Sequence, residues 1–328
     1  MGSANNSRTL TMNAHTFAGV LVPALTPFSR DLTPDAEQFI VHCRWLLEQG
    51  IDGLGVFGTT GEANSLAADE RIRLVDALLD AGIPPERLMV GTGTCALTET
   101  ARLTAHAVAN GCAGVLVLPP FYYKAVSDDG LFASFAQTIE RVGDARLRVY
   151  LYHIPPVAQV GISLDLVSRL IKAYPECVVG IKDSSGDWEH TQALLREFPG
   201  FATFAGSEVF LLDTLRGGGA GCITATGNVN PSGIRKVYEA WQTSDADRLQ
   251  ARITEIRQTI QAMPMIPALK SMVGACHGHG GWDHLRPPFI GLSPEQHTAL
   301  FEGLHRIGFD MAHNRRCVEA APARVASR

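Results

Sequence analysis

The sequence predicts an α/β protein, a (β/α)8 TIM barrel with a C-terminal helical extension. Three observations predict this fold: eight short apolar runs recur along the chain, amphipathic helical stretches separate them, and the last part shows helical patterns only. The runs are apolar almost throughout, which is typical of parallel strands that are covered on both faces. Strands that alternate with helices favour a parallel sheet, and eight such units close a barrel.

The predicted strands follow one another at regular intervals and are bounded by turn residues. They span 19–28, 51–60, 87–93, 113–120, 148–155, 178–185, 201–208 and 221–228. A doubly wound open sheet is the alternative architecture. That fold normally carries a glycine fingerprint after its first strand, but here the stretch reads LTPFSRD. The barrel is therefore the favoured prediction.

Helix signals fill the segments between the strands. Thr33 is the predicted N-cap of the first helix, Pro34 its first residue, and Gly50 its end. Within it, apolar residues share one face: Phe39, Ile40, Cys43, Leu46 and Leu47. The same pattern predicts helices over 66–82, 97–111 and 187–198. After residue 243, three more helices are predicted over 244–263, 265–276 and 294–309.

These patterns also predict the domain organisation. We expect one catalytic barrel domain over 17–243 and a helical region over 244–312 that packs beside it. Residues 1–16 and 313–328 are expected to be flexible tails. No second domain is predicted to interrupt the barrel.

Charge and composition exclude several classes of partner. The formal net charge of −5 provides no basic surface for nucleic acid or anionic lipid. No stretch reaches the roughly 18 apolar residues of a membrane span, and the first residues lack the apolar segment of a signal peptide. The seven cysteines are scattered without a CxxC pair, which is typical of reduced thiols. We therefore expect a cytoplasmic protein with no membrane or nucleic-acid partner.

Polar residues at the strand ends are the candidate functional residues, because barrel active sites lie at the carboxyl ends of the strands. The sixth predicted strand, VVGIKDSS, contains Lys182 in an apolar setting. A buried ammonium group is costly unless it is paired, and the adjacent Asp183 faces the opposite way on a strand. The favoured interpretation is a neutral, nucleophilic amine that forms a Schiff base with a carbonyl substrate. An ion pair is the structural alternative.

Two other strand ends carry hydroxyl groups. The GTTGE segment (58–62) offers amides and hydroxyls that could hold a small anion, or it is simply a turn that needs glycine. It lacks the GK[ST] ending of a nucleotide-binding loop. Tyr152 ends the fifth strand and is either a proton relay or a packed aromatic residue. Its neighbour His153 faces the opposite way and is interpreted as structural.

Two further motifs are interpreted without a function. The glycine cluster GGGAG (217–221) precedes the eighth strand, so it is predicted to be a tight helix-to-strand turn at the amino-terminal end of the barrel. His277 and His279 lie two residues apart in a glycine-rich loop outside the barrel. Without a third ligand nearby they do not predict a zinc site, and no metal site is expected.

Taken together and in order, these motifs resemble the dihydrodipicolinate synthase/N-acetylneuraminate lyase family of class I, pyruvate-dependent aldolases. The resemblance runs from about residue 17 to residue 310. The matching segments are PALTPF (23–28), GTTGE (58–62), LPPFYYK (118–124), LYHIP (151–155), GIKDSSGD (180–187), AGSE (205–208) and GCITATGN (221–228). The resemblance implies a Schiff-base lyase that requires no metal and no organic cofactor.

The resemblance also implies catalytic roles. Lys182 matches the lysine that condenses with the keto group of pyruvate or a related 2-oxo acid. Tyr152 matches the tyrosine that moves protons, and the hydroxyl of Thr60 is expected to be next in the relay. Tyr122 matches a tyrosine that completes the relay of a neighbouring subunit, so a homotetramer built from dimers is expected.

Substrate-binding roles follow in the same way. Thr59 and Thr60 match the pair that holds the carboxylate, and Gly206 and Ile223 match positions that line the pyruvate site. In dihydrodipicolinate synthases an arginine of the loop after the fifth strand binds the carboxylate of the second substrate. Here Val157 occupies that place, and an apolar side chain cannot hold a carboxylate.

The departure at Val157 leaves several activities open. The leading expectation is reversible cleavage of a 2-oxo acid, of the 2-keto-3-deoxy sugar acid or hydroxy-oxo-glutarate type, to pyruvate and an aldehyde. The alternatives are condensation of pyruvate with aspartate semialdehyde, and dehydration of a 2-keto-3-deoxy acid on the same Schiff base. A barrel that only binds or senses a 2-oxo acid is less consistent with the presence of Lys182, Tyr152 and Thr60 together.

Overall fold

The structure, a computed structural model, describes residues 16–311. The tails predicted at 1–16 and 313–328 lie outside the described residues, apart from Thr16. All eight predicted strands are present, each within its predicted run. They are β1 (Gly19–Val22), β2 (Gly53–Val56), β3 (Leu88–Gly91), β4 (Gly114–Val117), β5 (Val149–His153), β6 (Val178–Asp183), β7 (Ala202–Ala205) and β8 (Gly221–Ile223). Each pairs in parallel with the next, and β8 pairs with β1. The predicted (β/α)8 barrel is confirmed.

Twelve α-helices accompany the strands within residues 16–311. They are α1 (Ala36–Glu48), α2 (Ala68–Asp80), α3 (Leu97–Ala109), α4 (Asp128–Val142), α5 (Pro155–Ala158), α6 (Leu164–Ala173), α7 (Trp188–Glu197), α8 (Leu211–Arg216), α9 (Pro231–Ala240), α10 (Ala246–Gln261), α11 (Met265–His277) and α12 (Pro294–Arg306). None of these helices combines the length and the apolar character needed to cross a membrane. The six cysteines within the described part of the chain are unpaired.

The first helix begins two residues later than predicted. Its N-cap is Asp35, whose carboxylate accepts a hydrogen bond from the amide of Gln38 at 3.0 Å. Thr33 lies instead in a preceding turn, where its carbonyl oxygen accepts a hydrogen bond from the Ser29 amide at 2.8 Å. Both Thr33 and Asp35 are residue types that cap helices. The sequence alone therefore does not decide between them.

The joint that closes the barrel requires glycine on both strands. Gly19 in β1 and Gly221 in β8 are partners in the sheet, with φ values of +113° and +142°. A Cβ atom on Gly221 would lie 1.9 Å from the carbonyl oxygen of Gly19. Because no side chain fits at that distance, the glycine-rich turn predicted at 217–221 is also a condition for closing the barrel.

The core has two parts. Side chains that fill the barrel interior include Leu21, Met89, Leu116, Tyr150, Phe204 and Ile223. A larger cluster lies between the strands and the surrounding helices and continues into α10, α11 and α12. The C-terminal helices thus share apolar packing with the barrel, which brings residues of α11 close to the turn after β2.

Candidate active site

Strands β5 and β6 place two of the predicted site residues side by side. Tyr152 and Lys182 are register partners, and both are 4% exposed. Lys182 Nζ donates a hydrogen bond to Tyr152 Oη at 3.3 Å. No carboxylate within residues 16–311 forms an ion pair with this amine. The lysine is therefore not held in a salt bridge and can react with a substrate.

The next residue on β6, Asp183, points out of the barrel, as the alternation of side chains along a strand predicts. Its Oδ2 accepts hydrogen bonds from His190 Nδ1 at 2.9 Å and from Thr191 Oγ1 at 2.7 Å. Burial acts to raise the pKa of Asp183, but hydrogen bonds from His190, Ser185 and Thr191 outweigh burial and lower this pKa. Asp183 therefore has partners of its own in α7 and does not neutralise Lys182.

His153 completes this outer layer behind the catalytic strands. Its ring stacks on His190, with 4.3 Å between centroids and 14° between ring planes. Its Nδ1 accepts a hydrogen bond from the amide of Ile162 at 2.9 Å. Burial lowers the pKa of His153 to about 4. His153 is therefore a neutral, structurally engaged histidine, as its position on the strand predicts.

Three side chains of this layer, His153, Asp183 and His190, form the one group within residues 16–311 that is compact enough to hold a metal ion. The hydrogen bonds described above already use Nδ1 of both histidines. Since a metal lies in the plane of each imidazole that binds it, two nearly parallel rings cannot direct their lone pairs at one ion. The geometry fits a hydrogen-bonded support better than a metal centre.

The turn after β2 also reaches Tyr152, but through Thr59. Thr59 Oγ1 lies 3.0 Å from Tyr152 Oη, whereas Thr60 was the residue expected next to this tyrosine. Adjacent residues on a strand face opposite sides, but that rule does not hold within a turn. The sequence therefore could not tell which threonine contacts the tyrosine. Lys182, Tyr152 and Thr59 form a continuous polar contact, called below the Lys-Tyr-Thr chain.

The remaining predicted positions lie at the ends of β7 and β8. The amide of Gly206 donates to the carbonyl oxygen of Asp183 at 2.7 Å. A Cβ atom on Gly206 would lie 2.7 Å from the carbonyl oxygen of Asp183 and 2.8 Å from Ser184 Cα, and because backbone atoms cannot move aside, this position requires glycine. Ser184, the first residue after β6, was not among the predicted site residues. It follows Lys182 by two residues, the spacing that places side chains on one side of a strand, and this spacing was the signal that could have found it. Ile223 ends β8 and is buried in the same interior cluster as Tyr152.

Tyr122 lies apart from these residues, on the loop between β4 and α4. Its side chain is 73% exposed, and its ring contacts that of Tyr123 edge-on, with centroids 5.3 Å apart. In the described part of the chain no hydrogen bond links it to the Lys-Tyr-Thr chain. Lys124 connects this loop to α5 by donating to the carbonyl oxygen of Ala158 at 2.8 Å. Val157, also in α5, is 62% exposed.

The similarity to a known family extends over the barrel and most of the C-terminal helices. The sequence profile of the Dihydrodipicolinate synthetase family matches residues 16–307. The chain belongs to this family. As a family member it is a pyruvate-dependent lyase of the class I aldolase type, with a chemistry that fits a lysine Schiff base.

Two curated relatives match this chain over most of its length. It is 35% identical over 297 residues to a protein of Chloroflexus aurantiacus named an uncharacterized DapA-like lyase, covering 88% of this chain and 96% of that protein. It is 31% identical over 296 residues to the 4-hydroxy-tetrahydrodipicolinate synthase of Rhizobium meliloti, covering 89% of this chain and 99% of that enzyme.

Solved structures of the family share the same fold. Dihydrodipicolinate synthase from Agrobacterium tumefaciens superposes with a TM-score of 0.82 at 35% identity, over 90% of this chain and all (100%) of that one. YagE, a prophage protein of the family from E. coli K12 whose structure is a complex with pyruvate, gives a TM-score of 0.80 at 27% identity, over 89% and 98% of the two chains.

Proposed function

We propose that this family member uses Lys182 to cleave a 2-oxo acid reversibly into pyruvate and an aldehyde. The observation that supports this most directly is the Lys-Tyr-Thr chain, in which a buried amine lies 3.3 Å from a tyrosine hydroxyl that itself lies 3.0 Å from a threonine hydroxyl. A nucleophile next to a group that can move protons is what Schiff-base cleavage requires. The substrate class proposed is a 2-keto-3-deoxy sugar acid or a hydroxy-oxo-glutarate.

The reaction follows from these positions. Lys182 Nζ attacks the keto carbon, and Tyr152 donates its phenolic proton to the departing hydroxyl group, so that loss of water leaves an iminium ion and a Tyr152 phenolate. The bond between C3 and C4 breaks as its electron pair moves toward the iminium, while Tyr152 accepts the proton of the C4 hydroxyl and the aldehyde departs. The resulting enamine takes up a proton at C3, and water then hydrolyses the iminium to release pyruvate and the free amine. Thr59 extends the path along which protons enter and leave.

Binding of the substrate carboxylate is assigned to the turn at 58–62. Its backbone amides and the hydroxyls of Thr59 and Thr60 are suited to a small anion at the end of β2. Gly206 and Ile223 are assigned to the same pocket, and Ser184 adds a hydroxyl that packs against Gly206. These groups are proposed to bind the pyruvate part of the substrate, which all the candidate activities have in common.

The aldehyde part of the substrate is proposed to lie near the apolar residues of α5. Val157 is 62% exposed beside the predicted entrance, and a valine offers no charge-assisted hydrogen bond to a carboxylate. This favours an uncharged, hydroxylated aldehyde. Condensation of pyruvate with aspartate semialdehyde is the second candidate, because the Rhizobium meliloti and Agrobacterium tumefaciens relatives bear the name of that synthase. Dehydration of a 2-keto-3-deoxy acid on the same Schiff base is the third.

We further propose a homotetramer built from dimers, in which Tyr122 completes the site of the neighbouring subunit. The support is an exposed pair of aromatic side chains, Tyr122 at 73% and Tyr123 at 71%, on a loop beside the barrel entrance. Exposed aromatic groups that contact each other are common at protein interfaces.

Borohydride trapping tests the proposed chemistry. Incubation with pyruvate followed by reduction is expected to add a 1-carboxyethyl group to Lys182, located by peptide mass spectrometry, and Lys182→Ala should abolish both the adduct and turnover. Pyruvate release from a panel of 2-oxo acids then identifies the substrate. An unmodified Lys182 would refute the Schiff-base proposal. Efficient condensation of pyruvate with aspartate semialdehyde, without cleavage of any panel member, would favour the synthase instead.

A further inference from the structure

A buried ion pair joins the turn after β2 to the C-terminal helices. Glu62, the last residue of GTTGE, is 2% exposed, and Lys270 in α11 is fully buried at 0%. Lys270 Nζ lies 2.5 Å from Glu62 Oε1. Burial raises the pKa of Glu62, which the charge of Lys270 opposes, and burial lowers the pKa of Lys270, which Glu62 opposes. Burial thus disfavours the charged form of each group, and the opposite charge of the partner favours it.

Stability alone is a weak explanation for this pair. Removing two charges from water costs about as much as their attraction returns, so two apolar side chains would join these elements at least as well. Lys270 Nζ also donates to the carbonyl oxygen of His284 at 3.1 Å and lies 4.4 Å from the ring centroid of Phe28. The backbone amide of Arg286 and the charge of its side chain also favour the ionised carboxylate of Glu62. Lys270 remains the strongest of these partners, because it is the one side chain in the described part of the chain that forms an ion pair with Glu62.

The position of Glu62 in turn sets the position of Thr59. Glu62 has a φ of +56°, a left-handed conformation that residues other than glycine adopt only when their surroundings hold them there. Its amide donates to the carbonyl oxygen of Thr59 at 3.1 Å, and the amide of Ala63 donates to Gly58 at 3.2 Å. These two bonds close the turn that carries the threonine hydroxyl, so a shift of Glu62 is passed directly to Thr59.

We infer that Lys270 is a positioning residue for the 2-oxo acid site: its ion pair with Glu62 holds the turn at 58–62 in the conformation that binds the substrate carboxylate and aligns Thr59 with Tyr152. Lys270 touches no substrate atom and acts through the turn. The inference rests on the proposed function, because it requires that this turn binds the carboxylate. Because Lys270 lies in α11, this helix outside the barrel would help to determine the geometry of the site.

Lys270→Met tests the inference, because methionine keeps most of the side-chain length and removes the charge. The pyruvate concentration that gives half-maximal borohydride trapping on Lys182 is expected to rise about tenfold or more. Trapping at saturating pyruvate should still reach completion, since Lys182 itself is unchanged. If Lys270→Met fails to fold, the double variant Glu62→Gln/Lys270→Met removes the unpaired carboxylate as well, and the same rise is expected from it.

Arg235→Met is the matched control. It breaks the ion pair of Arg235 with Asp52, and Asp52 directly precedes β2 at the end opposite Glu62. This control should leave the half-maximal pyruvate concentration within about twofold of the unmodified protein. An unchanged concentration in the folded Lys270 variants, or an equal rise in Arg235→Met, would overturn the inference. Failure of the unmodified protein to trap pyruvate would overturn the proposed function instead.

Discussion

The amine of Lys182 lies inside the barrel, 3.3 Å from a tyrosine hydroxyl, while its sequence neighbour Asp183 is bound on the outside by His190 and Thr191. This separation matters chemically, because a carboxylate beside the lysine would hold it as an ammonium ion and block attack on a carbonyl carbon. Two adjacent residues thus have different tasks, one in bond formation and one in holding the strand.

Thr59 and Thr60 provide the residue-scale prediction. Thr59→Val removes the hydroxyl that contacts Tyr152 and is expected to slow exchange of the methyl protons of pyruvate in D2O by about 10²-fold or more, as loss of proton-transfer groups usually does. Thr60→Val should act mainly by raising the pyruvate concentration needed for half-maximal exchange. Proton NMR measures both variants with pyruvate alone. A larger loss of maximal rate in Thr60→Val would instead support Thr60 as the relay residue.

At the scale of elements, β5 and β6 carry an inner and an outer layer. The partners Tyr152 and Lys182 face inward. The next pair along the two strands, His153 and Asp183, faces outward. The outer layer connects these strands to α7 through His190, which stacks on His153 at 4.3 Å. The outer hydrogen bonds therefore hold the two strands that position the reacting groups.

The outer layer predicts a pH dependence of stability. The hydrogen bond to Asp183 raises the pKa of His190 above its usual 6.5, so the stabilisation from its charged form is complete below that usual value and is lost as pH rises through the raised one. The lowered pKa of Asp183 keeps the carboxylate ionised throughout this range. The difference in melting temperature between the unmodified protein and His190→Gln should therefore be largest near pH 6 and shrink toward pH 9.

Calorimetry or a fluorescence melt from pH 6 to 9 measures this difference. His153, with a pKa of about 4, stays neutral in the folded state over that interval and is present in both proteins. A difference that stays constant with pH would show that His190 contributes only a neutral hydrogen bond. A difference that grows with rising pH would contradict the charge assignment.

At the scale of the whole molecule, the site depends on groups outside the barrel that carries Lys182. Lys270 of α11 reaches the turn after β2, and the exposed Tyr122 is proposed to serve a second copy of the chain. If Tyr122 acts across an interface, two damaged subunits can together form one intact site.

Subunit mixing tests this proposal. Tyr122→Phe and Lys182→Ala chains, carrying different affinity tags, are co-expressed, and mixed assemblies are isolated on both tags. In a mixed dimer the Tyr122→Phe subunit keeps its lysine and receives an intact Tyr122 from its partner, so about half of the normal exchange activity should return. Each variant alone should be weak or inactive. Mixtures no more active than Tyr122→Phe alone would contradict a role across the interface, and Tyr123→Phe serves as the matched control.

The sequence by itself determined the eight strands, the barrel and the inward-facing lysine. Apolar runs separated by amphipathic helices leave few other architectures. Along a strand the side-chain period of two fixes which residues share a face, so the opposite directions of Lys182 and Asp183 could be predicted. Family motifs then gave the chemistry to expect of Lys182.

Only the tertiary structure decided the features that depend on turns and on distant contacts. Turn residues follow no fixed period, so the choice of Thr59 over Thr60, and of Asp35 over Thr33 as a cap, required coordinates. The pairing of Lys270 with Glu62 joins residues some 200 positions apart, and no local pattern encodes such a contact, because it forms only when the C-terminal helices pack against the closed barrel.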